Sequence, residues 1–402
     1  MFEHVTAAPP DPILGLSEAF VRDDRPGKIN LAVGVFKDAA GQTPVLDSVR
    51  AAETRLLAEE TTKSYMPIGG DPACGRAARE LLLGAGHPAL AAGRVVTFQT
   101  PGGTGGLRVA GDYLKQNHPG KTLWASDPTW ANHHGIFGAA GVTVKPYPYL
   151  DPATNGLNLD AMLGAAQGMR EGDVWLLHGC CHNPTGVDPT LEQWTQIAAA
   201  AKAYGVLPLI DFAYQGFGQG LAEDAAGLRA VLDANPEALV CASFSKNFGL
   251  YRERVGAFHA VAKDADTAAA VGSQIKTCIR RNYSNPPAHG GAVVTTILND
   301  AALRTQWEAE LTAMRDRING MRTALEAGLD ERGVKLTPEG NGFIARQNGM
   351  FTMSGLTKDQ VQTLRDDHAI YIVGSGRINV AGITPDNLDV LCDAIREVRS
   401  SK

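Results

Sequence analysis

Short apolar runs alternate with amphipathic stretches along the middle of the chain. Between about residues 94 and 262, each apolar run has the length of a buried strand and is followed by glycine or polar residues. A helical pattern separates each run from the next, and this alternation predicts a largely parallel sheet with helices on both faces. The predicted strands are Arg94–Thr100, Leu123–Ser126, Val174–His178, Val206–Ile210 and Leu239–Ala242.

The pattern is different in the first seventy residues. Residues 1–14 are rich in proline and cannot form a regular helix, so we expect an arm that docks through Ile13–Leu14 on another subunit. The run Ile29–Val35 is typical of a strand. Thr62–Gly70 is predicted to be a loop, and it carries an isolated tyrosine, Tyr65.

Beyond residue 263 the sequence becomes mainly helical, and Trp307–Leu329 is the longest amphipathic stretch. Short strand patterns are mixed with helices in the last quarter of the chain. They are Met350–Met353, Ile370–Val373 and Arg377–Val380. We therefore expect a second, smaller α+β domain. The predicted organisation is an arm at 1–14, a small domain at 15–47 and 313–402, and a large domain at 48–312.

Composition and charge narrow the class of protein. The chain has 402 residues, which predicts about two domains, and its 44% hydrophobic and 20% charged residues are ordinary for a soluble globular protein. The net charge of −6 contains no block of like charge, which argues against a nucleic-acid or membrane-surface partner. The sequence shows no signal-peptide pattern and no apolar run of membrane-spanning length. The six scattered cysteines indicate a reducing compartment, so a cytoplasmic protein is expected.

Lys246 follows the last predicted strand of the sheet, within the stretch Ser243–Gly256. Hydroxyls of Ser243 and Ser245 flank it, and a glycine turn follows it. A lysine in such a place can have a lowered amine pKa and form a Schiff base with a carbonyl group. The alternative is an ordinary surface lysine, and the surrounding motifs decide between the two.

Asp211 ends another buried strand, and a buried carboxylate requires a partner. Tyr214 lies three residues later and is expected to face the same side. A cap on the following helix is the alternative role for Asp211.

Residues 102–106, Gly-Gly-Thr-Gly-Gly, begin a predicted helix and offer free backbone N–H groups to an anion. They match neither the dinucleotide-binding fingerprint nor a nucleotide P-loop.

Three arginines are candidates for carboxylate binding. Arg377 opens an apolar strand, and its planar, always charged guanidinium suits a bidentate carboxylate. Arg280 and Arg281 precede an Asn-Tyr-Ser-Asn-Pro-Pro segment, and a solvated helix end is their alternative role.

A metal site is not expected at the cluster of His178, Cys180, Cys181 and His182. Adjacent cysteines are poor partners in a tetrahedral site, and no second pair of ligands occurs at zinc-finger spacing. We expect His178 to bond to a neighbour inside the sheet, with His133 as the candidate.

Six motifs together resemble the class I, fold-type I pyridoxal-phosphate aminotransferases, within them the aspartate and aromatic amino acid aminotransferases. The resemblance extends from NLAVGVFKD at residues 30–38 to GRINVAG at residues 376–382. The motifs are TPGGTGGLR, SDPTWANHH, LLHGCCHNPTG, PLIDFAYQGFG, SFSKNFGLYRERVG and NYSNPPAHG. The resemblance implies an α/β fold, with a mostly parallel seven-stranded sheet in the large domain, and pyridoxal 5'-phosphate as the cofactor.

The resemblance also implies roles for individual residues. Lys246 is implied to form the Schiff base with the cofactor and to move the proton at the substrate α-carbon. Asp211 is implied to pair with the pyridinium nitrogen, which keeps the ring able to accept electrons. Tyr214 and Asn183 are implied to bond to the ring oxygen, and Trp130 to stack on the ring.

The remaining implied positions surround the ring. The phosphate would be bound by Gly103, Thr104, Ser243, Arg254 and, from a partner subunit, Tyr65. His133 and His178 would lie behind Asp211 and sustain its charge. The residues implied to contact substrate are Arg377, Gly34, Trp130, Asn183 and the partner's Arg280. Shared active sites imply a homodimer.

The implied activity is transfer of the amino group of aspartate or of phenylalanine, tyrosine or tryptophan to 2-oxoglutarate in a ping-pong reaction. The order of preference among these donors stays open, as does the choice between Arg280 and Arg281 for a distal carboxylate. Another pyridoxal-phosphate reaction on the same fold, a β-decarboxylase or lyase step, is the alternative. A cofactor-binding regulator without activity is disfavoured because Lys246 is present.

Overall fold

The structure is a computed structural model, and it describes residues 1–8 and 14–400. Its strands, in chain order, are β1 (Ile29–Asn30), β2 (Val95–Pro101), β3 (Thr122–Asp127), β4 (Thr143–Pro148), β5 (Leu150–Asp151), β6 (Gly156–Leu157), β7 (Val174–His178), β8 (Leu207–Phe212), β9 (Ala238–Ser243), β10 (Val255–Val261), β11 (Phe351–Met353), β12 (Ile370–Tyr371) and β13 (Arg377–Asn379).

The helices, in chain order, are α1 (Leu14–Arg22), α2 (Asp47–Glu59), α3 (Pro72–Leu83), α4 (Pro88–Ala91), α5 (Gly102–Asn117), α6 (Asn132–Ala139), α7 (Leu159–Ala166), α8 (Leu191–Ala203), α9 (Leu221–Asp224), α10 (Ala226–Ala234), α11 (Ala265–Asn282), α12 (His289–Asn299), α13 (Ala301–Glu331), α14 (Phe343–Arg346), α15 (Lys358–His368) and α16 (Pro385–Ser400). A short 3-10 turn covers Val380–Gly382. No helix of the described part is long and apolar enough to cross a bilayer.

A seven-stranded sheet forms the centre of the molecule, with the strand order β2-β10-β9-β8-β7-β3-β4. Every pairing is parallel except those of β10, which runs antiparallel to both of its neighbours. All residues of β7 and β9 are buried, and this explains why these strands are continuous apolar runs. The predicted α/β class with a mostly parallel sheet is confirmed.

All five predicted sheet strands are present, and two further strands complete the sheet. β4 lies at the edge of the sheet and is mostly exposed. It contains Lys145 and two prolines, so its sequence does not form the apolar run that is typical of a buried strand. β10 begins directly after Arg254, in a turn that looked like part of the lysine motif. Because an antiparallel strand can follow its neighbour without a crossover helix, no helical pattern in the sequence indicates that β10 is a separate strand.

The predicted strand Ile29–Val35 is wrong beyond Asn30. The Asn30 side chain accepts the N–H of Ala32 at 3.0 Å, which turns the chain. The carbonyls of Val33 and Val35 then accept bonds of 2.7 and 2.9 Å from the side-chain amide of Asn379. The segment is therefore a loop that is attached to the C-terminal part of the molecule.

Helix α13 connects two separate hydrophobic cores. Its residues Trp307 and Ile318 pack in the core on one face of the sheet, whereas Leu325 and Leu329 pack in a second core built from the C-terminal helices and short strands. Asp300 caps the helix by accepting two backbone N–H groups. The domain limits near residues 47 and 312 stay a prediction. In the predicted N-terminal arm, residues 9–13 lie outside the described residues, so the docking of Ile13–Leu14 also stays a prediction.

Candidate active site

A cavity of about 500 Å³ lies at the carboxyl ends of β7, β8 and β9 and at the N-terminus of α5. Open α/β sheets form their ligand sites at this edge. The cavity is lined by Gly34, Gly103, Thr104, Leu107, Trp130, Ala131, Asn132, His178, Cys180, Asn183, Asp211, Ala213, Tyr214, Ser243, Ser245, Lys246, Arg254, Phe351 and Arg377. Most of the predicted site residues therefore meet in one place.

Lys246 projects into this cavity from the turn after β9. Its Nζ lies 4.8 Å from the centre of the Tyr214 ring. Loss of hydration lowers the pKa of Lys246 to about 8, the charge of Asp211 raises this pKa, and Arg254 and Arg377 lower it. About a tenth of the amine is therefore uncharged at pH 7 and about half at pH 8, so a nucleophile or base is available.

Asp211 is held by a chain of side chains behind the cavity. His133 Nε2 lies 2.8 Å from Asp211 Oδ2, and His133 Nδ1 lies 2.8 Å from the hydroxyl of Thr129. Burial raises the pKa of the Asp211 carboxyl, but the bond from His133 and the nearby positive charges outweigh it, so the net pKa is below the ordinary value. The carboxylate is thus ionised inside the molecule. A helix cap, the alternative role, is not the role found.

The expected direct bond between His178 and His133 is wrong, because Thr129 lies between them. The Thr129 hydroxyl is 3.0 Å from His178 Nε2, while the two imidazole rings are 5.2 Å apart. Burial lowers the pKa of His178 to about 3, so its ring is neutral. Thr129 is part of the quoted Asp-Pro-Thr-Trp turn after β3, but only the three-dimensional arrangement identifies it as the bridge.

Arg377 forms the opposite wall of the cavity. Its Nη1 donates to Asn183 Oδ1 at 3.0 Å, and its Nη2 donates to the carbonyl of Ala32 at 2.5 Å. The guanidinium also stacks on the ring of Phe351 at 4.2 Å, a contact that the sequence did not suggest. Its Nε is buried and has no hydrogen-bond partner among the described residues, so this N–H group can donate a hydrogen bond to a bound ligand. Burial lowers the pKa of Arg377 to about 10.

Asn183 connects this arginine to the rest of the site. Its amide nitrogen lies 3.4 Å from the hydroxyl of Tyr214, so Arg377, Asn183 and Tyr214 form one chain. Gly34 also lines the cavity, and a Cβ on this residue would lie 2.7 Å from the ring of Phe351. Trp130 lines the cavity and contacts His133 edge-on at 5.3 Å.

The first turn of α5 forms an anion cradle. Gly102 has φ +71°, and a Cβ there would lie 2.5 Å from the guanidinium of Arg254. A Cβ on Gly103 would lie 3.1 Å from Ser243. Arg254 in turn bonds to the hydroxyl of Ser245 at 3.4 Å. Free N–H groups, a helix dipole, hydroxyls and a guanidinium together fit a phosphate group, as the resemblance requires.

Four of the predicted residues do not line the cavity of their own chain: His133 lies behind Asp211, and the other three are Tyr65, Arg280 and Arg281. Tyr65 is 94% exposed. Arg280 and Arg281 are exposed at the end of α11, where Arg280 bonds to the hydroxyl of Ser284 and Arg281 to Gln116 at 3.1 Å. Their predicted roles stay predictions.

Comparisons with known proteins found a family model, relatives and solved structures that match most of the chain. The family "Aminotransferase class I and II" matches residues 26–395. An aspartate aminotransferase of Salmonella typhi is 54% identical, over 98% of this chain and 99% of its own length. An aromatic-amino-acid aminotransferase of Pseudomonas aeruginosa is 47% identical, over 99% and 98%. The crystal structure of an aromatic-amino-acid aminotransferase from Burkholderia pseudomallei, covalently bound to pyridoxal phosphate, has a TM-score of 0.95 at 47% identity and covers 99% of each chain.

Proposed function

The chain belongs to the class I and II aminotransferases, and from this premise we propose the reaction that its site performs. It is a pyridoxal-phosphate-dependent transaminase that moves the amino group of aspartate or of aromatic amino acids to 2-oxoglutarate in a ping-pong cycle. One observation carries the proposal: an amine with a pKa of about 8 lies in a cavity with an ionised carboxylate, an anion cradle and a buried arginine.

The cofactor, when bound, supplies an aldehyde that condenses with amines and a ring that accepts electrons from the substrate α-carbon. The residues of this chain provide what that chemistry needs. Lys246 Nζ would hold the cofactor and would move the proton at the substrate α-carbon. The Asp211 carboxylate balances the positive charge of the ring nitrogen, and its ionisation is sustained by His133. Trp130, which lines the cavity, would cover one face of the ring.

The two ends of the cavity orient the bound molecules. Gly103, Thr104, Ser243 and Arg254 bind the phosphate at the N-terminus of α5. Arg377 binds the substrate α-carboxylate, and its unpaired Nε supports this assignment. The Asn183 and Tyr214 side chains bond to the ring oxygen, which stabilises its ionised form. Gly34 lies on the loop that closes over the substrate.

We infer a homodimer in which each chain supplies Tyr65 to the phosphate and Arg280 to the distal carboxylate of the partner's substrate. The exposure of Tyr65 supports this, since a large aromatic side chain that is 94% exposed gains by burial at an interface. A cytoplasmic location is also proposed, and it is supported by six cysteines that are all free thiols and all buried.

The half-reaction tests the function directly. Holoenzyme mixed singly with aspartate, tyrosine, phenylalanine and tryptophan should convert the visible absorbance of the bound cofactor, and the rates rank the donors. Lys246→Ala should lose the pH-dependent band, whereas Lys145→Ala, a lysine that packs on Trp124 at the sheet edge, should keep it. A titrating band that persists in Lys246→Ala would contradict the role of this lysine.

Two neighbouring arginines provide a matched test of substrate class. Arg280→Ala should lower kcat/KM for aspartate by roughly 100-fold, because a hydrogen-bonded charge contributes about 3 kcal/mol at the upper end. Phenylalanine has no distal charge and should lose little. Arg281→Ala is the control and should leave both donors nearly unchanged. Equal losses for both donors in Arg280→Ala would show that the distal carboxylate is bound by a different residue.

A further inference from the structure

Three possible ligand groups meet beside the cavity, in a part of the site that the proposed reaction does not use. The ligand atoms of Cys180, Cys181 and Asp224 all lie within 4.8 Å of one another, and all three residues are buried. The Cys181 thiol donates a hydrogen bond to the carbonyl of Tyr214 at 4.0 Å. The cysteines follow β7, and Asp224 ends α9, so sequence spacing gives no sign of the group.

The number of donors suits a three-coordinate ligand better than a tetrahedral one. The two sulfurs can fill two positions of a three-coordinate ligand, and the Asp224 carboxylate can accept a hydrogen bond from a hydroxyl group at the third, whereas structural zinc takes four protein ligands. The Asp224 carboxylate already accepts the backbone N–H groups of Gly216, Gly218 and Gln219, which fix its position. Gly349 packs so closely that a Cβ there would lie 2.4 Å from Cys181, so no further side chain fits on that side.

The charge that a ligand brings also decides which thiol-binding ligand suits these two buried cysteines. Both thiols belong to buried residues, and burial disfavours the charged thiolate form. A divalent cation would need two thiolates in this buried place. A neutral ligand that takes both sulfurs and releases water would leave the local charge unchanged.

A small ligand can reach Cys180 from the cavity, because this residue lines the cavity together with His178 and Asn183. We propose that Cys180 and Cys181, assisted by Asp224, bind trivalent arsenic as arsenous acid that enters through the cofactor cavity. Each thiol forms one As–S bond and breaks one As–O bond, and its proton leaves with the hydroxyl group as water. Arsenic stays trivalent, so no oxidant is required, and its third hydroxyl donates to the Asp224 carboxylate.

The test uses holoenzyme incubated with sodium arsenite at neutral pH, freed of excess reagent by gel filtration and assayed for bound arsenic by mass spectrometry. Wild type should retain one arsenic per protomer. Cys181→Ser and Cys180→Ala should each retain less than a tenth of this amount. Cys74→Ser and Cys278→Ser, which alter buried cysteines outside the cavity, are matched controls and should retain the full amount.

A second measurement uses wild type alone and does not depend on the folding of any variant. After arsenite treatment and denaturation, alkylation and peptide mapping should find Cys180 and Cys181 protected and the other four cysteines modified. Cadmium at the same concentration should give no protection. Absence of retained arsenic in wild type, equal retention in Cys181→Ser, or protection by cadmium alone would each overturn the proposal. These readouts do not use transaminase activity, so they stand apart from a failure of the proposed function.

Discussion

Replacement of Arg322 by methionine should destabilise the molecule by an amount that can be worked out from its bonds. The guanidinium lies on α13 and is completely buried. It donates five hydrogen bonds to main-chain carbonyls, at 3.0 Å to Ile344, 3.1 Å to Asn348, 3.2 and 2.7 Å to Gly349 and 2.5 Å to Phe351. One side chain therefore holds the segment that leads into β11.

Methionine has nearly the same length and keeps the apolar packing, so the loss is mainly polar. Four carbonyl oxygens would lose a donor, and at roughly 1 kcal/mol for each the expected loss in the free energy of unfolding is about 4 kcal/mol. Relief of the buried charge works against this loss, as the lowered pKa of Arg322, about 10, indicates. Asp188 is partly buried and lies within the electrostatic reach of Arg322, so its charge would lose a compensating cation.

The assay is urea unfolding of the holoenzyme, and the control is Arg317→Met on the same helix. Arg317 also donates to main-chain carbonyls, at 3.0 Å to Asp38 and 2.7 Å to Ile383, but it is only half-buried. Water can replace its bonds, so we expect a loss of about 1 kcal/mol or less. A loss below about 1 kcal/mol for Arg322→Met, or one equal to that of the control, would refute the reasoning.

Three further predictions concern the cofactor. The rate at which apoenzyme binds pyridoxal phosphate, followed by absorbance, should rise with pH through about 8, because only the uncharged Lys246 amine reacts; a midpoint near 10.5 would contradict this. Asp211→Asn should move the midpoint to lower pH, since it removes the charge that raises this pKa. Gly102→Ala should weaken cofactor binding at least ~10-fold, because its Cβ would meet Arg254 at a positive φ. Gly320→Ala, in an open helical position, is the control and should stabilise by about 0.5–1 kcal/mol without changing that affinity.

The sequence was most informative where chemistry and periodicity coincide. Lys246 and Asp211 follow apolar strands, and parallel strands bring their carboxyl ends to one edge, so their meeting was predictable. Arg322 was not predictable, because in an amphipathic helix an arginine is expected to be solvated, and its carbonyl partners come 22 to 29 residues later in irregular chain. Thr129 became a bridge only through the packing of two imidazoles from α6 and β7.

The cation excess of the cavity explains why its ligands must bring negative charge. Among the lining residues, Asp211 is the one carboxylate, while Lys246, Arg254 and Arg377 are cationic when protonated. Burial lowers the pKa of Lys246 and so favours its neutral form. A guanidinium group, in contrast, keeps its charge at neutral pH, and this includes the buried Arg377. Arg377 is buried and therefore requires an anionic partner to offset its desolvation, whereas Arg254 is exposed on its own chain and attracts an anion through its charge. A phosphate at one end and a carboxylate at the other satisfy this requirement, and an amine without a carboxylate would leave Arg377 unpaired.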